Sequence, residues 1–140
     1  MRGWKIDVAK DINQLTAACN LIVTTTSSSK PLLLAHQIRP GTHITAVGTD
    51  DIGKQELDPE IFVKANRIVV DSRSQCTQFG DVSYAIRQNL IKGEQLVELG
   101  EVIENSAYGR NSETEITVAD LTGLAIQDLE IAALVFNQFQ

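Results

Sequence analysis

An α/β fold built on a parallel sheet is what this 140-residue sequence predicts, and three observations carry the prediction. Apolar, β-branched runs recur over residues 21–26, 42–48 and 67–72. Segments with helical spacing or turn chemistry separate them at a rhythm of roughly twenty residues, the rhythm of βαβ units. The run "LIVTTT" lacks alternation in its first half, as expected of a strand covered on both faces.

Residues 4–8 alternate apolar and polar, the period-two pattern of a strand with one covered face. Asp11 suits an N-cap, and Ile12, Leu15, Ala18 and Cys19 fall near helical spacing, which predicts a short helix ending near Asn20. The strand over 21–26 follows, and "SSSKP" is expected to end it. "LLLAHQI" reads either as a short helix or as a loop packed on the core. "RPG" then turns the chain into the strand over 42–48. Asp58-Pro59-Glu60 supplies an N-cap, a first-position proline and a first-turn acid, predicting a helix from Pro59 to about Ala65 with Ile61, Phe62 and Ala65 inward. "RIVVDS" is a third buried strand.

Beyond Ser72 the pattern turns helical. Asp81 is placed to cap a helix carrying Val82, Ala85, Ile86 and Leu90 on one face, and Gly93 to end it. "EQLVELGEVIENS" sets Leu96, Leu99 and Val102 or Ile103 on another helical stripe, and "EITVADLTG" holds a short strand and a turn. Residues 124–139 form a helix apolar on more than half its circumference, the pattern of a helix wedged between two surfaces. The whole reads as one domain, residues 1–140, with strand and helix repeats over about 4–72 and a mainly helical segment over 73–140.

A net charge of −6 with no lysine or arginine cluster argues against nucleic acid and anionic lipid as partners. No segment reaches the roughly eighteen uninterrupted apolar residues of a membrane span, so no membrane association is expected. The two cysteines, Cys19 and Cys76, are isolated and read as reduced thiols of a cytoplasmic protein without a secretory leader. Neither His36 nor His43 has a carboxylate or cysteine at metal-ligand spacing, so no metal is expected.

In an open parallel sheet the ligand crevice lies beyond the carboxyl ends of the strands. Three loops there are informative. Residues 24–29 are all threonine or serine, hydroxyls of the kind that hold a ribose or phosphate, or a plain solvated turn. "AVGTDDIGKQEL" puts Asp50 and Asp51 between Gly48 and Gly53, with Lys54 directly after, either an acidic turn or a proton carrier beside a ligand. "DSRSQ" places Asp71 and Arg73 where they can form a structural ion pair.

The motifs "IVTTTSSSKPLL", "GTHITAVGTDDIGKQELDPEIFVKANRIVVDSRSQ", "ELGEVI", Gly109-Arg110 and "EITVADLTGLAIQDLEIAA" resemble the C-terminal portion of the ornithine cyclodeaminase/mu-crystallin family, in the family's order and over nearly the whole chain from about Ile6. That resemblance implies a partial Rossmann-like parallel sheet flanked by helices, lacking the first βαβ of the family fold. It implies NAD or NADP as cofactor, with cyclodeaminase, alanine dehydrogenase or ketimine reductase activity in intact relatives. By the same match Asp50 corresponds to the catalytic acid/base group, Val47, Gly48, Thr49 and Lys54 to cofactor contacts, and Thr24 and Thr26 to neighbours of the ribose. Leu121 and Thr122 match the turn approaching nicotinamide and substrate, but the cyclodeaminase-like pattern has serine and valine there, so "ADLTG" points to relatives with other reactions. Ile52 stands where a proline is often found.

No GxGxxG follows a first strand, and no residue is placed to read the adenosine ribose. The expectation is therefore a C-terminal fragment of such an enzyme, inactive alone and weak or silent in cofactor binding. Loss of the neighbouring first strand would leave an apolar edge that seeks a homodimer, a higher oligomer or a separate N-terminal partner chain. The rival expectation is a non-catalytic, oligomeric binding or assembly module that keeps the scaffold.

Overall fold

The computed structural model describes residues 3 and 5–139. The chain runs through α1 (Ile12–Ala18), β1 (Leu21–Thr24), β2 (Ser29–Leu33), a short 3-10 turn at Ala35–Gln37 and β3 (His43–Ala46). β4 (Gln55–Leu57), α2 (Glu60–Lys64), β5 (Arg67–Val70), α3 (Arg73–Cys76) and α4 (Val82–Arg87) follow. The remainder holds β6 (Leu96–Glu98), α5 (Leu99–Glu104), β7 (Thr117–Asp120) and α6 (Ala125–Gln138).

Five strands form one sheet in the order β1-β3-β7-β5-β6, every pairing parallel, so the fold is the α/β parallel-sheet class expected from the sequence. β2 and β4 make a second, two-stranded parallel pair. Register places Ile22, Ile44, Val118 and Ile68 on one rung, all buried, and the alternation of the strands carries Ala46 and Val70 to the same face. Against that face pack Ile61 and Phe62 of α2, Val82 and Ala85 of α4, and Leu33 and Leu57 of the small sheet. Burial of such side chains, each worth roughly 1.5–3 kcal/mol, is the main stabilising term.

Several elements differ from the sequence reading, each for a physical reason. Trp4 lies outside the described residues, and residues 5–8 form no strand and stand exposed, because no neighbouring strand offers them a ladder. β1 is covered on one face only: Leu21 is 63% and Val23 58% exposed, whereas Ile22 and Thr24 are buried. "SSSKP" does not end a strand but begins β2, where Pro31 is tolerated beside a register shift. Asp81 is no cap; its carboxyl is drawn inward, as described below. The helix it precedes stops at Arg87, with Asn89 at positive φ, well before Gly93.

Segment 73–140 supplies two strands to the sheet, β7 within the expected "EITVADLTG" strand and β6 where a helical stripe is expected. β7 threads between β3 and β5, which makes it the central strand. α6 has no buried residue, so the expected wedge between two surfaces is not formed by the described residues. Cys19 is exposed and Cys76 buried, and no disulfide joins them.

Asp120 ends β7 with its side chain wholly buried. Its Oδ2 accepts the Val82 N–H at 2.8 Å, while Oδ1 has no partner among the described residues. Burial first, then the charge of Asp81, raises its pKa well above the usual carboxylate value. The folded form thus retains a proton that the unfolded chain releases near pH 4, so this carboxyl supports the fold most at acid pH and progressively less as pH rises. Asp120→Asn, which cannot ionise, should match the wild type near pH 4 and exceed it at about pH 8 by on the order of 1–3 kcal/mol. Urea unfolding across that range checks this; parallel stability profiles for the two proteins would contradict it.

Candidate functional site

Because every pairing in the large sheet is parallel, the segments leaving β1, β3, β5 and β7 emerge on one rim. There Thr25, Thr26 and Ser27 after β1 meet Val47, Gly48, Asp50 and Lys54 after β3, and together they line an open cleft of about 300 Å³. The ladder continues into the loops, with Val47 N–H donating to Thr24 O at 2.9 Å and Leu121 N–H to Ala46 O at 2.9 Å.

What holds the two loops together is Glu56, the middle residue of β4, which is fully buried. Its Oε2 accepts from Thr24 Oγ1 at 2.6 Å and from Gly48 N–H at 2.9 Å. Its Oε1 accepts from the Thr26 N–H and from Thr26 Oγ1 at 2.8 Å. One carboxyl therefore satisfies two backbone amides and two hydroxyls that would otherwise be stranded under the rim. The approach leaves no room for a side chain at position 48: a Cβ there would sit 2.5 Å from Glu56 Oε1 and press on Thr26 O.

Asp81 braces this arrangement from below. Its Oδ1 accepts the Glu56 and Leu57 N–H groups at 2.8 and 2.9 Å, and its Oδ2 accepts Thr49 Oγ1 at 2.7 Å. Burial raises its pKa against the lowering effect of those donors. Asp71 does the same for the loop after β7, accepting the Thr122 N–H at 3.0 Å and the Gly123 N–H at 2.7 Å.

Asp50 stands at the cleft, half exposed, with its Oδ1 on the ammonium of Lys54. The hydrogen bond from Lys54 is the chief reason its pKa is lowered, and the same contact raises that of Lys54. The carboxyl is thus ionised at neutral pH and is a proton acceptor there. Asp51 accepts the Ile52 N–H at 2.7 Å.

Of the residues singled out in the sequence, the structure brings Thr26, Val47, Gly48, Asp50 and Lys54 together at the cleft and adds Thr25 and Ser27. Thr24 faces inward onto Glu56, Thr49 is buried on Asp81, and Thr122 is buried on Asp71. Leu121 is half-buried after β7 and does not line the cleft. Asp71 and Arg73 do not pair: Asp71 is occupied by the β7 loop, and Arg73 reaches Glu101 of α5. The sequence reading passes over Glu56 and takes Asp81 for a helix cap. The signal available for Glu56 was a charged residue at an inward position of a strand, between Gln55 and the buried Leu57.

The lining can be tested against a nicotinamide dinucleotide. Val47, 41% exposed, offers an apolar surface for a flat ring, and the hydroxyls of Thr25 and Ser27 with Lys54 offer partners for a ribose and a carboxamide. These groups fit the nicotinamide riboside end. They do not fit the pyrophosphate, because the Thr26 and Gly48 amides that could form a backbone nest already donate to Glu56. No group of three or more histidine, cysteine or acidic side chains among the described residues could hold a metal ion.

Known proteins share the family and fold of this chain. The model of the ornithine cyclodeaminase/mu-crystallin family matches residues 1–140. The alanine dehydrogenase of Archaeoglobus fulgidus is 46% identical over 120 residues, 85% of this chain and 37% of that protein. The structure of the iminosuccinate reductase of Paracoccus denitrificans in complex with NAD+ superposes with a TM-score of 0.85 at 40% identity, over 91% of this chain and 39% of that one. The Thermococcus litoralis Δ1-pyrroline-2-carboxylate reductase in complex with NADH and L-proline gives a TM-score of 0.86 at 28% identity, over 92% of this chain and 40% of that one. The chain spans about 40% of the length of such relatives.

The Glu56 bridge yields a sharp test. In Glu56→Gln the amide nitrogen must replace one oxygen, and either choice faces a backbone N–H, that of Gly48 or that of Thr26; the threonine hydroxyls can reverse, the amides cannot. The substitution should cost about 1–3 kcal/mol in urea unfolding. A loss below about 0.5 kcal/mol, the scatter of ordinary surface changes, would show that the bridge is dispensable.

Proposed function

We propose, since this chain belongs to the ornithine cyclodeaminase/mu-crystallin family, that it supplies the nicotinamide-facing part of an NAD(P)-dependent oxidoreductase site acting on an amino acid or the corresponding imine. The observation that carries this reading is the convergence of Asp50 and Lys54 with the hydroxyl-bearing loop after β1 on one cleft at the carboxyl rim. The names of the relatives, alanine dehydrogenase and iminosuccinate and pyrroline-carboxylate reductases, favour interconversion of an amine-bearing carbon and its imine over cyclisation of ornithine.

When bound, the dinucleotide supplies the two-electron chemistry. The work of this chain is positional and protic. Val47 and Gly48 present backbone and an apolar side chain along one wall, and Thr25 and Ser27 offer hydroxyls on the other. Asp50, kept ionised by Lys54, takes a proton from the substrate nitrogen or from water and returns it in the reverse direction. Lys54 compensates the carboxylate's charge and can shift from Asp50 to a cofactor or substrate oxygen. The groups that would receive the pyrophosphate and the substrate carboxylate come from elsewhere in the assembly, whether a longer polypeptide or a separate partner chain. By itself the 140-residue chain should bind NADH weakly and turn over no amino acid.

Titration of the chain with NADH, followed by amide chemical shifts, tests the site. Saturable shifts are expected at Thr25, Ser27, Val47 and Gly48, with Lys54→Ala weakening affinity by roughly three- to tenfold and Asp50→Asn leaving it nearly intact. Shifts scattered away from the cleft, or none at millimolar NADH, would remove the assignment. Robust turnover by the isolated chain would remove the claim that it is inactive alone.

A second reading, an oligomeric assembly module, is favoured by a different observation. α6 exposes Ile126, Leu129, Leu134 and Phe136, and the edge strand β1 exposes Leu21 and Val23. Apolar helices and free strand edges of this kind are covered in stable assemblies. A homodimer or larger assembly is expected in sedimentation at micromolar concentration; a monomer there would count against it.

A further inference from the structure

A second cavity lies on the other face of the sheet, toward the opposite rim. Register aligns His43, Thr117 and Arg67 on one rung and Thr45, Ala119 and Val69 two residues on, and all of these point away from the main core. His43, Arg67, Val69, Thr117 and Ala119, with Leu99 and Val102 of α5 and the Gly109-Arg110 turn, line a half-open cavity of about 280 Å³. At about 30 Å³ per water this is room for roughly nine water-sized groups. His43, Arg67 and Thr117 begin their strands, whereas Asp50 follows the end of β3, so the cavity is separate from the cleft described above.

Its chemistry is that of an apolar chamber with unpaired positive charge. Val69, Val102, Leu99 and Ala119 give it hydrocarbon walls. Arg110 donates to Gly41 O at 3.1 Å and to Thr117 Oγ1 at 3.1 Å, and Arg67 to Gly109 O at 3.2 Å and Asn66 O at 3.1 Å. All these acceptors are neutral, and neither guanidinium pairs with a carboxylate among the described residues, although the chain carries 18 acids against 12 bases. His43 adds no third charge: it sits between Thr117 Oγ1 at 2.7 Å and Thr45 Oγ1 at 3.1 Å, and burial, then Arg110, lowers its pKa. Two guanidiniums without counter-ions beside an apolar chamber match a planar anion carrying a hydrocarbon body.

We propose that this cavity is a binding site for a small organic monocarboxylate, with the carboxylate on Arg110 and Arg67 and the apolar body against Val69, Val102 and Ala119. Octanoate and octan-1-ol, equal in chain length and different in charge, are the probes. In amide-shift titrations octanoate should saturate and move Val102, Gly109, Thr117 and Ala119 while leaving Thr26 and Gly48 unmoved. Octan-1-ol should bind about tenfold more weakly, and Arg110→Met should reduce octanoate affinity by a similar factor. Arg110→Lys, which keeps the charge and loses the planar fork, should fall between, and serves where the methionine variant does not fold. Equal binding of acid and alcohol, shifts confined to the Thr26 and Gly48 rim, or no saturation at millimolar octanoate would overturn the proposal.

Discussion

The carboxyl of Glu56, sunk beneath the rim, is the interaction on which the rest of the site depends. A parallel sheet delivers its loops to one side but leaves their spacing undefined, because each strand ends where its own ladder runs out. Glu56 converts that loose proximity into fixed geometry by taking donors from the segment after β1 and the segment after β3 at once. Asp81 fixes Glu56 in turn by holding the two backbone amides of β4. The small β2-β4 pair therefore works as a bracket under the cleft, which explains why a carboxylate and a glycine, rather than packed hydrocarbon, occupy this part of the interior.

The division between what was legible in the sequence and what was not follows the range of the interactions involved. β1, β3, β5 and β7 announce themselves through β-branched runs, and α1 and α2 through Asp11 and Asp58, because those signals act within a few residues. β6 was hidden: its three residues merge with the stripe of α5, and only pairing with β5 makes "LVE" extended. β2 was hidden behind a proline and a serine run, and exists because β4, some twenty-five residues on, lies alongside. The unalternating apolar start of β1 suggests burial on both faces, but such a run reports that side chains prefer an interior and not whether another element reaches them.

The site divides in the same way. Asp50 and Lys54 are four residues apart and their pairing is local, so the loop could be recognised as chemically unusual. Which hydroxyls face the cleft could not: Thr24, Thr25 and Thr26 differ only in strand phase, and the inward carboxyl that claims Thr24 is thirty-two positions away. Asp71 shows the same limit, since its partners at Thr122 and Gly123 become neighbours only when β7 inserts beside β5. In such networks the identity of a polar residue says that it will be satisfied, and the topology decides by whom.

The contrast between the two thiols has a practical outcome. Cys76 is enclosed by α3 and the end of β7, and burial, followed by the charge of Asp120, lifts its thiol to about 12, which leaves almost no thiolate at neutral pH. Cys19 closes α1 in the open, directly before the edge strand. A maleimide or nitroxide reagent will therefore mark a single position without prior mutagenesis, and that position reports on the edge-strand flank of the sheet.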